Sequence, residues 1–163
     1  MTRDELLAAR TATWAADARA ALATIVDALK PSTRHLGDIL DWLDDIATRD
    51  GVAASVTLDD AELRRIVASG ASAPERLKRW KERLRRLRYP RLAAREQAIA
   101  AELRAMDCGP SVTITPPAAL EGGMVTVTIR ARSAAELGAA LQRLRERLER
   151  REVERLFALL DEA

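Results

Sequence analysis

The sequence predicts a mainly α-helical protein with a small α+β unit at its C-terminal end. Up to about residue 106, apolar residues recur at three- and four-residue steps, which is the spacing of one helix face. After Cys108, Gly109 and Pro110 the spacing becomes two residues, as in β-strands, until a leucine-rich helical pattern begins after Ser133. These observations predict an N-terminal helical bundle followed by a helix, a β-hairpin and a second helix.

Charge and periodicity divide the chain into three predicted segments: a helical N-terminal region (residues 1–70), a basic helical segment (71–106) and a β-hairpin with a C-terminal helix (107–163). Residues 1–70 contain eight basic and twelve acidic side chains, whereas residues 71–110 contain eleven and five. The whole chain nets only +2. Such asymmetry predicts either an anionic partner for the basic segment or an internal match between it and the acidic region.

Two long helices are predicted at the N-terminus. The first runs from about Asp4 to Leu29 and ends before Pro31, because proline cannot continue a helix. Ser32 or Thr33 caps the second, and Gly51 ends it. The polar face of the second helix is acidic: Asp38, Asp41, Asp44 and Asp45. These carboxylates line a helix instead of converging from a loop, so no metal site is predicted.

Two further helices flank the most basic stretch. The one before it runs from about Leu58 to Ala68, with Thr57 as its cap. The one after it runs from Arg91 to Met106, because Tyr89-Pro90 interrupts or kinks the helical pattern.

The basic stretch itself, residues 74–95, carries ten Lys/Arg and two Glu. Ser72 and Glu75 have the spacing of a capping box in front of it. Trp80 and Leu84 lie on its apolar side and should be buried against the N-terminal helices. The positive charge of the opposite side predicts a nucleic-acid-binding surface, because cations that neutralise phosphates release condensed counterions, which favours binding. Its candidate residues are Lys78, Arg79, Arg85 and Arg86.

A second interpretation of this basic face stays open. Glu75 with Arg79, and Glu82 with Arg86, are i,i+4 pairs in the favourable order. The face would then be solvated or would dock a protein partner.

The C-terminal segment predicts two antiparallel strands, in SVTIT and MVTVTIR, joined by residues 116–123. Ser133 and Glu136 then open a helix with a leucine seam, which fails near residues 149–152 and resumes out of phase. Two strands alone leave both edges unpaired, so we expect self-association here. The candidate dimerisation residues are Val125, Val127, Ile129, Leu137, Leu141, Leu144 and Leu148.

This order of helix, two strands and leucine-seamed helix resembles the C-terminal dimerisation domain of ParB-type chromosome-partitioning proteins. The matching stretches are GPSVTI, MVTVTIRARS and SAAELGAALQRL, within the last third of the chain. The resemblance implies a homodimer with a four-stranded sheet and non-specific DNA binding nearby. Where the family has lysines on the exposed sheet face, this chain has threonines, with Arg130 and Arg132 as the basic residues.

Catalytic chemistry is not indicated. His35 is the single histidine and Cys108 the single cysteine, so neither a zinc ligand set nor a nucleophile with its base can be assembled. We therefore expect no enzymatic activity, metal or cofactor. A lone cysteine fits a reducing cytoplasm, and no apolar run is long enough to cross a membrane.

The sequence thus favours a dimeric DNA-binding or DNA-organising accessory protein that applies a basic amphipathic helix to phosphates. The alternative is a non-enzymatic adaptor or assembly subunit whose acidic and basic faces dock protein partners, or whose C-terminal helix does so.

Overall fold

The computed structural model describes residues 2–120 and 123–161, which form two compact units, residues 1–90 and 91–163. Helices dominate both units, and a two-stranded antiparallel sheet lies in the second. The predicted fold class, mainly α with a small α+β unit, is confirmed. Within the described ranges no helix combines the length and apolar composition needed to span a bilayer.

The first unit is a helical bundle. Its helices are α1 (Arg3–Arg10), α2 (Ala16–Leu29), α3 (Thr33–Asp50), α4 (Ala54–Leu58), α5 (Ala61–Ala68) and α6 (Ala73–Arg88). The prediction of one helix from Asp4 to Leu29 was wrong, because the chain turns between α1 and α2. α1 ends at Thr11, whose backbone amide (3.1 Å) and hydroxyl (2.8 Å) both donate to the carbonyl oxygen of Leu7.

The prediction of one helix from Leu58 to Ala68 with a Thr57 cap was also wrong. Thr57 lies inside the short helix α4, and Asp60 caps α5. The Asp60 Oδ1 atom accepts hydrogen bonds from the backbone amides of Glu62 (3.1 Å) and Leu63 (3.0 Å). A carboxylate at this position satisfies two of the orphan amides at the start of the helix.

The other predicted helix boundaries are confirmed. The Ser32 hydroxyl caps α3 by accepting from the His35 amide at 3.3 Å, and Gly51 ends it with a φ of 64°, where a side chain would be strained. Ser72 caps α6 in the same way. α6 stops at Arg88, and Pro90 begins the next helix.

The core of the first unit contains the apolar side of α6. Trp80 and Leu84 are fully buried among residues of α2, α3 and α5, while Leu77 and Leu87 are partly buried beside them. The predicted burial of Trp80 and Leu84 is confirmed. Each large side chain contributes about 1.5 to 3 kcal/mol by leaving water, which fixes α6 to the bundle.

The structure divides the chain differently from the three predicted segments. The basic segment 71–106 is split, because α6 belongs to the first unit and the following helix to the second. The helices belong to different units because their apolar side chains pack into different cores. Those of α6 enter the first core, whereas Ile99 and Met106 enter a separate one.

The second unit contains α7 (Pro90–Met106), β1 (Val112–Thr115), a 3₁₀ turn (Ala118–Leu120), β2 (Thr126–Ile129), α8 (Ala134–Glu149) and α9 (Glu152–Asp161). The strands are antiparallel as predicted, with Val112 opposite Ile129 and Ile114 opposite Val127. These four side chains share one face of the hairpin. Threonines occupy the other face and are exposed.

The break between α8 and α9 also agrees with the sequence. Arg151 has a φ of 59°, which interrupts the helix. α9 then returns Leu156 and Leu160 to the core of the second unit, with Ile99, Met106 and Val112. These two residues of the out-of-phase cluster are therefore covered within the chain itself.

Candidate functional site

Three of the four predicted cations on the outer face of α6 are paired within the helix. Arg79 Nε lies 2.9 Å from Glu75 Oε1. Arg85 and Arg86 both lie 3.1 Å from Glu82 Oε1, and the Arg85 guanidinium is the main reason that the pKa of Glu82 is lowered. Lys78 differs, because it is exposed and forms no ion pair with any residue in the described ranges.

Two further cations of α6 reach acidic residues of α3. Lys81 Nζ lies 2.8 Å from Asp38 Oδ2, and Arg88 Nη2 lies 2.5 Å from Asp45 Oδ2. The bond to Lys81 lowers the pKa of Asp38. Two carboxylates of the acidic face of α3 therefore meet the basic helix, which is the internal charge match that the sequence left open, whereas Asp41 and Asp44 pair with Arg10 of α1.

Two arginines outside the predicted site hold backbone carbonyls. Arg76 Nη2 donates to the carbonyl oxygen of Ala28 at 2.8 Å, and so ties α6 to the end of α2. Arg49 Nη1 donates to the carbonyl oxygens of Leu87 (2.9 Å) and Arg88 (2.5 Å), the last residues of α6. Cations at a helix C-terminus satisfy its orphan carbonyls and complement its dipole.

Trp42 is a residue that the sequence reasoning did not single out. Lys81 Nζ lies 5.1 Å and the Arg88 guanidinium carbon 5.8 Å from the centroid of its ring, both within cation–π range. The available signal was its spacing, four residues after Asp38 and three before Asp45, which places an aromatic ring on the acidic face of α3.

An open groove of about 650 Å³ runs between α3 and α6 beside Trp42. Pro74, Leu77 and Trp42 form its apolar part. Its charged lining consists of Lys78, Lys81, Glu82, Arg85 and Arg86, with His35 at the start of α3. The predicted residue Arg79 is not part of this groove and instead lines a cavity toward α5.

The candidate dimerisation residues of the second unit fall into two sets. Val125, Ile129 and Leu144 are partly buried and pack against the second core. Val127, Leu137, Leu141 and Leu148 have exposed fractions of 44, 42, 50 and 50%, and Phe157, which was not in the predicted set, has 39%. We call these five exposed residues the apolar face.

Arg130 and Arg132 lie after β2, where their backbone amides bond to Ser111 and Glu136. Both are exposed, and their side chains form no ion pair within the described ranges. They belong to the second unit, whereas Lys78 belongs to the first.

The two groups singled out for possible chemistry belong to different units. Burial is the main cause that raises the pKa of the Cys108 thiol, which keeps it in the weakly nucleophilic protonated form. His35 is exposed in the first turn of α3. Among residues 2–120 and 123–161 no three His, Cys, Asp or Glu side chains are grouped to hold a metal ion.

Comparison of the chain with models of protein families, with curated proteins and with solved structures found no match. Two surfaces are candidates for function: the charged groove of the first unit and the apolar face of the second.

Proposed function

We propose that this protein is a self-associating, non-enzymatic adaptor whose C-terminal unit joins copies of the chain. The observation that carries this proposal is the apolar face, five large apolar side chains left half in water. Contiguous exposed apolar surface in a globular protein commonly marks an interaction site.

The apolar face is continuous along α8 and reaches the hairpin. Leu137, Leu141 and Leu148 follow one stripe of the helix, at the spacing that suits packing against another helix. Leu148 then lines an apolar cavity of about 210 Å³ together with Val127 of β2 and Phe157 of α9. A partner that covered the stripe would also close this cavity.

The edges of the hairpin support the same conclusion. β1 and β2 pair only with each other in the described part of the chain, so the outer edge of each strand lacks a partner. Unpaired edges are templates for strand addition. A second copy would supply both the strand and the matching apolar face.

The free energy of burying the apolar face predicts a moderate affinity between two copies of the chain. Burying the remaining half of each large side chain is worth about 1 kcal/mol, hence roughly 10 kcal/mol for both copies in a symmetric dimer. Association costs about 4 to 15 kcal/mol in lost freedom, so apolar burial alone leaves at most about 6 kcal/mol, which corresponds to a Kd of roughly 40 µM. We expect a dimer that dissociates on dilution through tens of micromolar protein.

The test is light scattering across roughly two decades of concentration centred on tens of micromolar protein. The intact chain should change from monomer to dimer over this range, and Leu141→Glu should shift the transition to higher concentration. Val56→Glu is the matched control, because Val56 is 56% exposed but lies on α4 of the first unit. A strict monomer at every concentration, or an equal effect of both substitutions, would contradict the proposal.

Charge pairing favours the adaptor over DNA binding as the role of α6. Arg79, Arg85 and Arg86 are already matched to carboxylates, and such pairs must be broken or shared before the arginines neutralise phosphate. The carboxylates would also repel the nucleic acid.

DNA binding is the second candidate function. It is supported by Lys78, Arg130 and Arg132, whose side chains form no ion pair within the described ranges. Anisotropy titration of a labelled duplex tests it. Counterion release predicts an affinity that falls steeply between about 50 and 200 mM salt. Arg130→Ala with Arg132→Ala should weaken binding, whereas no binding at the lowest salt would remove this candidate.

A further inference from the structure

The groove between α3 and α6 combines an apolar floor with an excess of positive charge. Trp42 and Leu77 are only partly buried there, and Pro74 is exposed, so apolar surface faces solvent. Four Lys or Arg side chains line the groove against the single carboxylate of Glu82. An occupant that matched this lining would bring both apolar and anionic groups.

Internal pairing leaves one of these cations without a carboxylate. Lys81 is held by Asp38, and Arg85 and Arg86 are paired with Glu82. Lys78, at the rim, has no ion pair within the described ranges. A carboxylate of a partner could therefore pair with Lys78 without breaking an existing ion pair.

The surroundings of Trp42 argue against a nucleic acid as the occupant. Lys81 and Arg88 already lie over the indole ring, so the surface on which a base would stack is partly taken. A phosphate backbone would leave the apolar side chains of Leu77 and Pro74 in water.

We propose that this groove binds an acidic segment of a partner protein, in which a large apolar side chain inserts beside Trp42 and Leu77 while a neighbouring carboxylate pairs with Lys78. Grooves between two helices commonly receive an amphipathic segment in this way. The inference rests on the adaptor proposal and names the chemistry of the partner. The groove proposal is tested by peptide binding and the adaptor proposal by self-association, so either can be refuted without the other.

The experiment uses the full chain and a fluorescein-labelled model peptide that alternates pairs of glutamates with pairs of leucine or phenylalanine. Anisotropy at low salt should show saturable binding. A second peptide with serine in place of every apolar residue should not bind, because it cannot use the floor of the groove.

Charge reversal at the rim supplies the specific test. Lys78→Glu should raise the Kd of the peptide by about three- to tenfold, since it replaces one attraction by a repulsion at a solvent-exposed site. Arg19→Glu is the matched control: Arg19 is exposed on α2, lines a different cavity, and its reversal changes the net charge equally. Circular dichroism should show the same helix content in both variants.

Three outcomes would overturn the proposal. The first is no binding of the apolar acidic peptide at low salt. The second is an equal loss of affinity in both variants, which would indicate non-specific attraction to a basic protein. The third is displacement of the peptide by a short duplex DNA whose own binding depends on Lys78, which would assign the groove to nucleic acid.

Discussion

Arg83 and Asp60 form a two-point ion pair that joins α6 to the start of α5. Arg83 Nη2 lies 2.6 Å from Asp60 Oδ2, and Arg83 Nε lies 3.1 Å from Asp60 Oδ1. Both side chains are mostly buried, with exposed fractions of 28 and 19%. The same carboxylate caps α5, so one side chain of the acidic region orders a helix and also holds the basic one.

Substitution at Asp60 should separate these two roles. Asp60→Asn keeps a good cap but loses one of the two carboxylates that pair with Arg83, the other being Glu62, and should lower the free energy of unfolding by about 1 kcal/mol. Asp60→Ala loses the cap as well, and should cost about 1 kcal/mol more. Urea unfolding followed by tryptophan fluorescence is suitable, because Trp14, Trp42 and Trp80 all lie in the first unit. Equal stability of the Asn and Ala variants would show that Asp60 does not act as a cap.

The first unit should lose stability in acid. Hydrogen bonds from Lys81, Arg83 and Arg85 are the main causes that lower the pKa values of Asp38, Asp60 and Glu82, respectively. Their stabilisation is therefore complete above the unfolded carboxyl pKa of about 4 and disappears as the pH falls through the lower folded values.

In that window the unfolded chain binds more protons than the folded one, so the free energy of unfolding rises with pH. Urea unfolding between about pH 3 and 7 should show a plateau above pH 5 and a decline below it. The decline should be shallower in Asp60→Asn, which removes one of the three carboxyls. An unchanged slope in this variant would mean that Asp60 titrates normally.

The stability of the first unit should depend strongly on Leu84. It is fully buried in the first core, so Leu84→Ala should cost about 2 to 5 kcal/mol through lost burial and a cavity. Leu84→Asp should unfold the unit. Val56→Ala, at an exposed position, should change stability by less than about 0.5 kcal/mol. Thermal melts that did not distinguish Leu84→Ala from Val56→Ala would contradict the observed packing of α6.

Two glycines of α3 should respond in opposite directions to alanine. Gly37 lies inside the helix with open space around an added Cβ, so Gly37→Ala should stabilise the protein by about 0.5 to 1 kcal/mol. Gly51 ends the helix with a φ of 64°, so Gly51→Ala should cost about 1 kcal/mol. Melting temperatures that moved in the same direction would refute the assigned end of α3.

The sequence by itself determined the features that depend on near neighbours. The caps at Ser32, Ser72 and Ser133 and the stop at Gly51 are confirmed, because a capping oxygen or a positive φ needs only residues a few positions away. The amphipathic stripe of α6 determined the burial of Trp80 in the same way.

Only the tertiary structure decided which carboxylates meet the basic helix. The sequence shows that Arg83 and Asp60 are charged but not that the chain brings them together across 23 residues. The interruption of the predicted first helix at Thr11, and the division of the basic segment between two cores, also depend on which faces pack against each other. Charge and propensity are properties of a residue, whereas pairing between distant residues is a property of the folded chain, because the contact exists only once packing has brought their helices together.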